Sequence, residues 1–149
     1  MVSREAREGG ERVGFRITDL STGAEGWLAH VRQLGWPRVG KYRVCLEDLE
    51  RLGAKAVLDA AMQSDTIVID EVGPMELCSQ AFKDAVRRAL ESGRPVLGTI
   101  HCRARDSLIA EIRTRQDAEI VEVTENNRDP LAQLVAKKII EALKEMPSQ

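Results

Sequence analysis

Aromatic residues are nearly missing from this chain, at 3% of 149 residues. Its core must therefore be built from Val, Ile, Leu and Ala rather than from stacked rings. Cysteine is sparse as well. Cys45, Cys78 and Cys102 are odd in number, far apart and never in a Cys-x-x-Cys pair, which argues for reduced thiols in a cytoplasm and against a disulfide framework. His30 and His101 are the only histidines, and no four ligands cluster with a recognisable zinc spacing. No apolar run approaches the ~18 residues of a membrane span, and the first residues do not read as a signal peptide. A formal net charge of -2 supplies no basic field, which argues against nucleic acid as a partner.

What the chain does contain is 43% hydrophobic and 31% charged residues, the balance of a soluble globular protein. Its length is expected to form one domain over residues 1–149 with a real core. The opening third reads as an antiparallel β-meander. Gly9-Gly10 and Ser21-Thr22-Gly23 are turn signals, and Val13, Phe15 and Ile17 alternate with polar or small residues between them. Leu46, Leu49, Leu52, Ala56, Val57 and Ala60 then share one helical stripe.

From Thr66 the pattern alternates. "TIVID" reads as a buried strand, and Ser79 caps a helix from Gln80 to about Ser92, ended by Gly93. "PVLGTI" is a second buried strand, Asp106 or Ser107 opens a helix with Leu108, Ile109 and Ile112, and "EIVEV" is a third strand. Asp129 is expected to cap a last helix with Pro130 at its first position and a core stripe of Leu131, Leu134, Val135, Lys138 and Ile139. Strands alternating with helices predict a parallel sheet, with the meander as an antiparallel addition.

In such sheets ligands bind beyond the carboxyl ends of the strands. Asp70-Glu71 falls there, after four residues ending in the apolar run Ile67-Val68-Ile69, in the form of a Walker B motif. Asp70 can hold Mg²⁺, because a hard cation prefers carboxylate and water oxygens. Glu71 beside it can orient the attacking water or accept its proton. The same residues also fit a buried strand that merely ends in an acidic turn. Glu76 is a third carboxylate near this edge, either a helix-start acid or part of a metal site. Thr99 and His101 end the neighbouring strand, where a polar group can sense a γ-phosphate; Arg103 and Arg105 follow, as transition-state cations or as solvated charge.

Gly35-x-x-x-x-Gly40-Lys41 has the spacing of a phosphate-binding loop, but Tyr42 replaces the required Ser or Thr. "GWLAHVRQL" before it is half polar, and "YRVC" after it reads as extended rather than helical. The match is therefore a spacing coincidence, not a phosphate site.

Taken together, "REGGERVGFRI", "VGKY", "IVIDEVGPMEL", "VLGTIH" and "VTENNRD" resemble the small P-loop nucleoside triphosphatases of the thermophilic and cancer-related nucleoside-triphosphatase family. The resemblance spans nearly the whole chain. It implies a RecA-like α/β core and Mg²⁺-dependent hydrolysis of nucleoside triphosphates, ATP and GTP included. It also implies that Thr66, Ile67, Val68, Ile69, Asp70, Glu71, Val72 and Gly73 form the Walker B segment of the nucleotide site. Asp70 then matches the magnesium-associated acid and Glu71 the water-activating acid. His101 falls at a strand-end polar position, and Asn127 and Arg128 match an Asn-Arg pair expected to contact the base.

Such relatives carry a strand, a Gly-rich loop ending Gly-Lys-Thr-Thr, a helix and a second strand before "REGGERVGF", roughly 30 residues or one βαβ unit. These are not among the 149 residues. A chain lacking the phosphate cradle is expected to hydrolyse weakly or not at all, and to self-associate through exposed sheet. Two other readings remain open at this point: a non-catalytic nucleotide-binding or interaction module, and a nucleotide kinase, although no Arg-rich lid insertion is evident.

Overall fold

The computed structural model describes residues 1–146, in two compact units, one over residues 1–104 and a second from Arg105 onward. In the first unit the meander forms as expected: β1 (Val2–Glu8), β2 (Glu11–Thr18) and β3 (Glu25–His30) pair antiparallel. Gly9 and Gly10, at φ 57° and 84°, make the two-residue turn between β1 and β2 that side-chain-bearing residues resist. β4 (Arg38–Val39) and β5 (Tyr42–Val44) form a small hairpin, with β5 paired to β3. The Gly40-Lys41 match to a phosphate loop is therefore a hairpin tip, followed by strand and not by helix.

A helical run follows: α1 (Leu46–Asp48), a π-helical turn (Leu49–Ala54) and α2 (Lys55–Gln63). β6 (Ile67–Val72) leads through a 3-10 turn (Glu76–Cys78) into α3 (Gln80–Glu91), and β7 (Val96–Ile100) closes the unit. Ser79 caps α3 by accepting the Phe82 N–H at 3.1 Å. The sheet runs in the order β4-β5-β3-β2-β1-β6-β7. Only β1·β6 and β6·β7 are parallel; the other four pairings are antiparallel, so the sheet is mixed rather than mostly parallel. The reason is local: the hairpin turns of the meander return the chain beside itself, whereas β7 follows β6 through a helical crossover.

The core lies between the sheet and the helices, built from Ile17, Leu28, Leu49, Val57, Ile67, Ile69, Phe82 and Val86. Gly53 lets the π-helical turn lie directly on β2, since a Cβ there would stand 2.7 Å from Ile17 Cδ1 and 3.1 Å from Leu49 Cδ1. The far end of α2 is held by Arg94, whose guanidinium donates to the carbonyls of Ala61 and Met62 that the helix leaves unpaired.

The second unit holds α4 (Ser107–Thr114), capped by Asp106 as expected and burying Leu108, Ile109 and Ile112, and α5 (Arg128–Glu145). Three expectations fail here. Residues 119–123 form no strand, and Ile120, Val121 and Val123 are exposed; β-propensity without a ladder partner does not make a strand. Asp129 lies inside α5, whose N-cap is Asn127, so Asp129 is not the cap and Pro130 is not the first helical residue. The stripe of α5 buries no residue, and Lys138 is paired with Glu119 rather than lying on an apolar face.

Enlarging Gly53 is the sharpest test of this packing. Gly53→Val should lower stability by about 1–3 kcal/mol through overpacking against Ile17. Equilibrium urea unfolding would measure the change in midpoint at unchanged slope.

Candidate functional site

β6 brings two acids to its carboxyl end. The ladder with β7 runs in register from Ile67↔Val96 to Ile69↔Gly98, and resumes one residue out of step at Val72↔Ile100. Two residues, Asp70 and Glu71, thus oppose Thr99 alone. In a regular strand these neighbours would face opposite sides of the sheet. An extra residue of this kind re-aims a side chain, and such bulges recur beside functional sites. The Asp70–Glu71 peptide is cis.

Asp70 is oriented by its neighbours. The Thr99 hydroxyl donates to Asp70 Oδ1 at 2.8 Å, and the Asp70 carbonyl accepts from Ser3 Oγ at 3.3 Å. His101, just beyond β7, is tied to the end of β6 by its N–H, which donates to the Val72 carbonyl at 3.2 Å. Its Nδ1 accepts the Arg103 N–H at 3.3 Å. Asp70, Glu71, Val72, Gly73 and His101 are therefore collected at one strand end. Thr66 is not: it precedes the strand and its hydroxyl donates to the Pro95 carbonyl, about 13 Å along the chain direction from Asp70. Ile67 and Ile69 are buried in the core and Val68 is half-buried, so these three form the strand that delivers Asp70.

Asn127 and Arg128 belong to the second unit. There the Asn127 side chain ties its own loop, accepting the Thr124 N–H at 2.7 Å and donating to the Glu122 carbonyl at 2.8 Å. Arg128 is exposed beside Asp129.

Two residues carry more than the motif suggested. Thr99 reads in sequence only as a strand-end polar group, and its bond to Asp70 depends on the β6–β7 register. Glu76 opens the 3-10 turn, as a helix-start acid would, but it is only 3% exposed, and its Oε2 accepts the Gly73 N–H at 3.2 Å. Burial pushes its carboxyl up to about 7; the charges of Glu71 and Asp70 add to this, and the backbone N–H groups of Glu76 and Gly73 oppose it. The Glu76–Gly73 spacing of three residues, across a Gly-Pro turn, was the one available signal.

A divalent cation fits this donor chemistry. Asp70 has a half-exposed carboxylate at a strand end crowded with negative charge. The described residues contain no group of three or more His, Cys, Asp and Glu arranged as a complete cage. One or two carboxylates with water and phosphate oxygens is how Mg²⁺ is commonly held, as opposed to an all-protein cage.

The chain is also similar to known proteins. Residues 1–140 match the family model described as NTPase. The chain is similar to the nucleoside-triphosphatase THEP1 of Thermofilum pendens, 49% identical over 140 residues, covering 93% of this chain and 77% of that protein. It is similar to the THEP1 of Methanosarcina acetivorans, 47% identical over 139 residues with the same two coverages. Among solved structures it resembles the crystal structure of THEP1 from Aquifex aeolicus, with a TM-score of 0.80 at 29% identity, covering 93% of this chain and 81% of that one.

The raised carboxyl gives a pH test. Folded Glu76 keeps a proton that the unfolded chain releases above its ordinary value of 4.5, so its contribution to stability falls as pH rises from 4.5 through about 7. The cost above that window is up to about 3 kcal/mol. Urea unfolding at a series of pH values, without added divalent metal, should show Glu76→Gln gaining on the native protein by about that amount between pH 4.5 and 8.

Proposed function

The chain belongs to the NTPase family, and from that premise we propose that it hydrolyses nucleoside triphosphates, ATP and GTP among them, at the carboxyl end of β6. The observation that carries this reading is the Asp70–Glu71 pair in the β6 bulge, with Asp70 held by Thr99. Asp70 is the proposed partner of Mg²⁺, which would neutralise phosphate charge when bound. Glu71 is the proposed group that orients the attacking water and takes its proton. His101 is proposed to meet the terminal phosphate, and Asn127 and Arg128 to meet the base. Val72, the last residue of β6, and Gly73 after it are proposed to border the nucleotide.

None of the 149 residues forms a Gly-x-x-x-x-Gly-Lys-Ser/Thr loop. Backbone N–H donors and a loop Lys carry much of the transition-state stabilisation in such enzymes, so the acids of β6 are proposed as the metal and water side of the site. Self-association along a sheet edge is a further part of the proposal, β7 being the last strand in the sheet order. Among the described residues no helix is long and apolar enough to cross a membrane; a cytoplasmic setting is part of the same proposal, with Cys45, Cys78 and Cys102 all unbridged.

Phosphate release from Mg-ATP and Mg-GTP tests the assignment. Glu71→Gln should lower the rate about a hundredfold or more, with nucleotide binding kept. Asp70→Asn should raise the metal concentration needed for half-maximal rate, and chelation should abolish turnover. A Glu71→Gln protein with the full native rate would overturn the reading. Light scattering over a dilution series checks the edge: a mass that falls on dilution is expected, and a constant monomer mass would exclude self-association.

A further inference from the structure

The turn after β6 contains a feature that the proposed chemistry does not itself require. Gly73 has an ordinary negative φ, so a glycine is not needed there for backbone conformation. It is needed for space. A Cβ on Gly73 would stand 2.6 Å from Glu71 Oε1, 3.0 Å from its Cδ and 3.2 Å from its Cγ. The Glu71 side chain is thus folded back onto the Cα of Gly73, and any larger residue would displace its carboxylate.

The Gly73 peptide is also held on both sides. Its N–H is taken by the buried Glu76 carboxylate at 3.2 Å, and its carbonyl accepts the Leu77 N–H at 2.9 Å. The turn then continues to Ser79, whose hydroxyl donates to Glu50 Oε1 at 3.1 Å and accepts the Phe82 N–H. The surface under Glu71 is therefore a fixed backbone, anchored to two helical segments. With one Glu76 oxygen committed to Gly73 and the residue closed to solvent, Glu76 is poorly placed as a metal ligand and well placed as a brace.

We propose that Gly73 and Glu76 are positioning residues for Glu71: Gly73 leaves the space into which the carboxylate folds, and Glu76 holds that space still. The proposal rests on the assignment of Glu71 as the acid that orients water. A preset carboxylate spares the reorganisation that a free glutamate side chain would need at each turnover.

The experiment combines kinetics with carboxyl carbon-13 NMR on the same set of variants. Gly73→Ala should lower kcat about tenfold or more with KM within about twofold, the signature of an interaction made in the transition state. Glu76→Ala should do the same, and Glu76→Gln should recover most of the rate because its amide oxygen still accepts the Gly73 N–H. In a Glu71→Gln background Gly73→Ala should cost nothing further. An independent, additive loss there would overturn the proposal, as would native kcat in Gly73→Ala. The Glu71 carboxyl resonance should move in Gly73→Ala and Glu76→Ala and stay in place in Glu76→Gln; an unmoved signal in Gly73→Ala would equally overturn it. If Glu71→Gln hydrolyses normally, the assignment of Glu71 fails, and the NMR arm still decides whether Gly73 and Glu76 hold its side chain.

Discussion

The close approach of the Leu49–Ala54 turn to β2, at Gly53, is the contact on which the rest of the first unit depends. With no side chain at Gly53, Ile17 fills the space against the turn. Phe82 of α3 approaches the same point, since a Gly53 Cβ would lie 3.6 Å from its Cδ2. One contact therefore sets the heights of two helical segments above the sheet. Glu50, three residues before Gly53, bonds the Ser79 hydroxyl that caps α3. The chain from Gly73 to Ser79 must then span a fixed gap between the end of β6 and the start of α3. Packing at one end of the core in this way determines the backbone beneath Glu71 at the sheet edge.

Electrostatics at that edge works against folding and toward binding. Asp70, Glu71 and Glu76 converge there, and Glu76 responds by holding its proton up to about 7. A cluster of like charges partly withdrawn from water lowers stability, which a surface of the same composition would not do. A cation at the proposed site would reverse the sign of this interaction. The Thr99 hydroxyl already holds Asp70, donating to its Oδ1 at 2.8 Å. In the proposed site the residues fall into two groups: Thr99, Gly73 and Glu76 shape the edge, while Asp70 and Glu71 are the groups offered to a ligand.

Much of this architecture was readable locally. The alternation of Val13, Phe15 and Ile17 between two glycine-marked turns specified the meander, and Ser79 three residues before Phe82 specified the start of α3. The acids after Ile67-Val68-Ile69 marked the strand end because hydrophobic runs and their termination are written in consecutive residues. What escaped depends on pairing between distant segments. The β6 bulge exists only relative to β7, and the Thr99–Asp70 bond spans 29 positions. Residues 119–123 have the composition of a strand, yet a strand also needs a neighbour to accept its hydrogen bonds. The stripe of α5 has helical spacing, which specifies a face but not what covers it: Leu131, Val135 and Ile139 are only half-buried.

The Gly35–Lys41 stretch shows why spacing alone does not make a phosphate site. A phosphate loop works because a strand delivers the chain to a helix N-terminus, where several N–H groups converge with the dipole. Here Gly40, at φ 58°, closes a hairpin between β4 and β5, and the next residues enter a strand whose N–H groups are directed sideways to its neighbours. Tyr42 is buried against Phe15 and accepts from Arg12 Nε at 2.9 Å, a packing role at the position where a phosphate loop carries its small hydroxyl. β5 is also four strands away from β6, about 19 Å across the sheet. A lysine there cannot share a phosphate with Asp70 without crossing the width of the meander. The acids of β6 are therefore the chemistry to follow in this unit, and the glycine that matters to them is Gly73, which no phosphate-loop pattern includes.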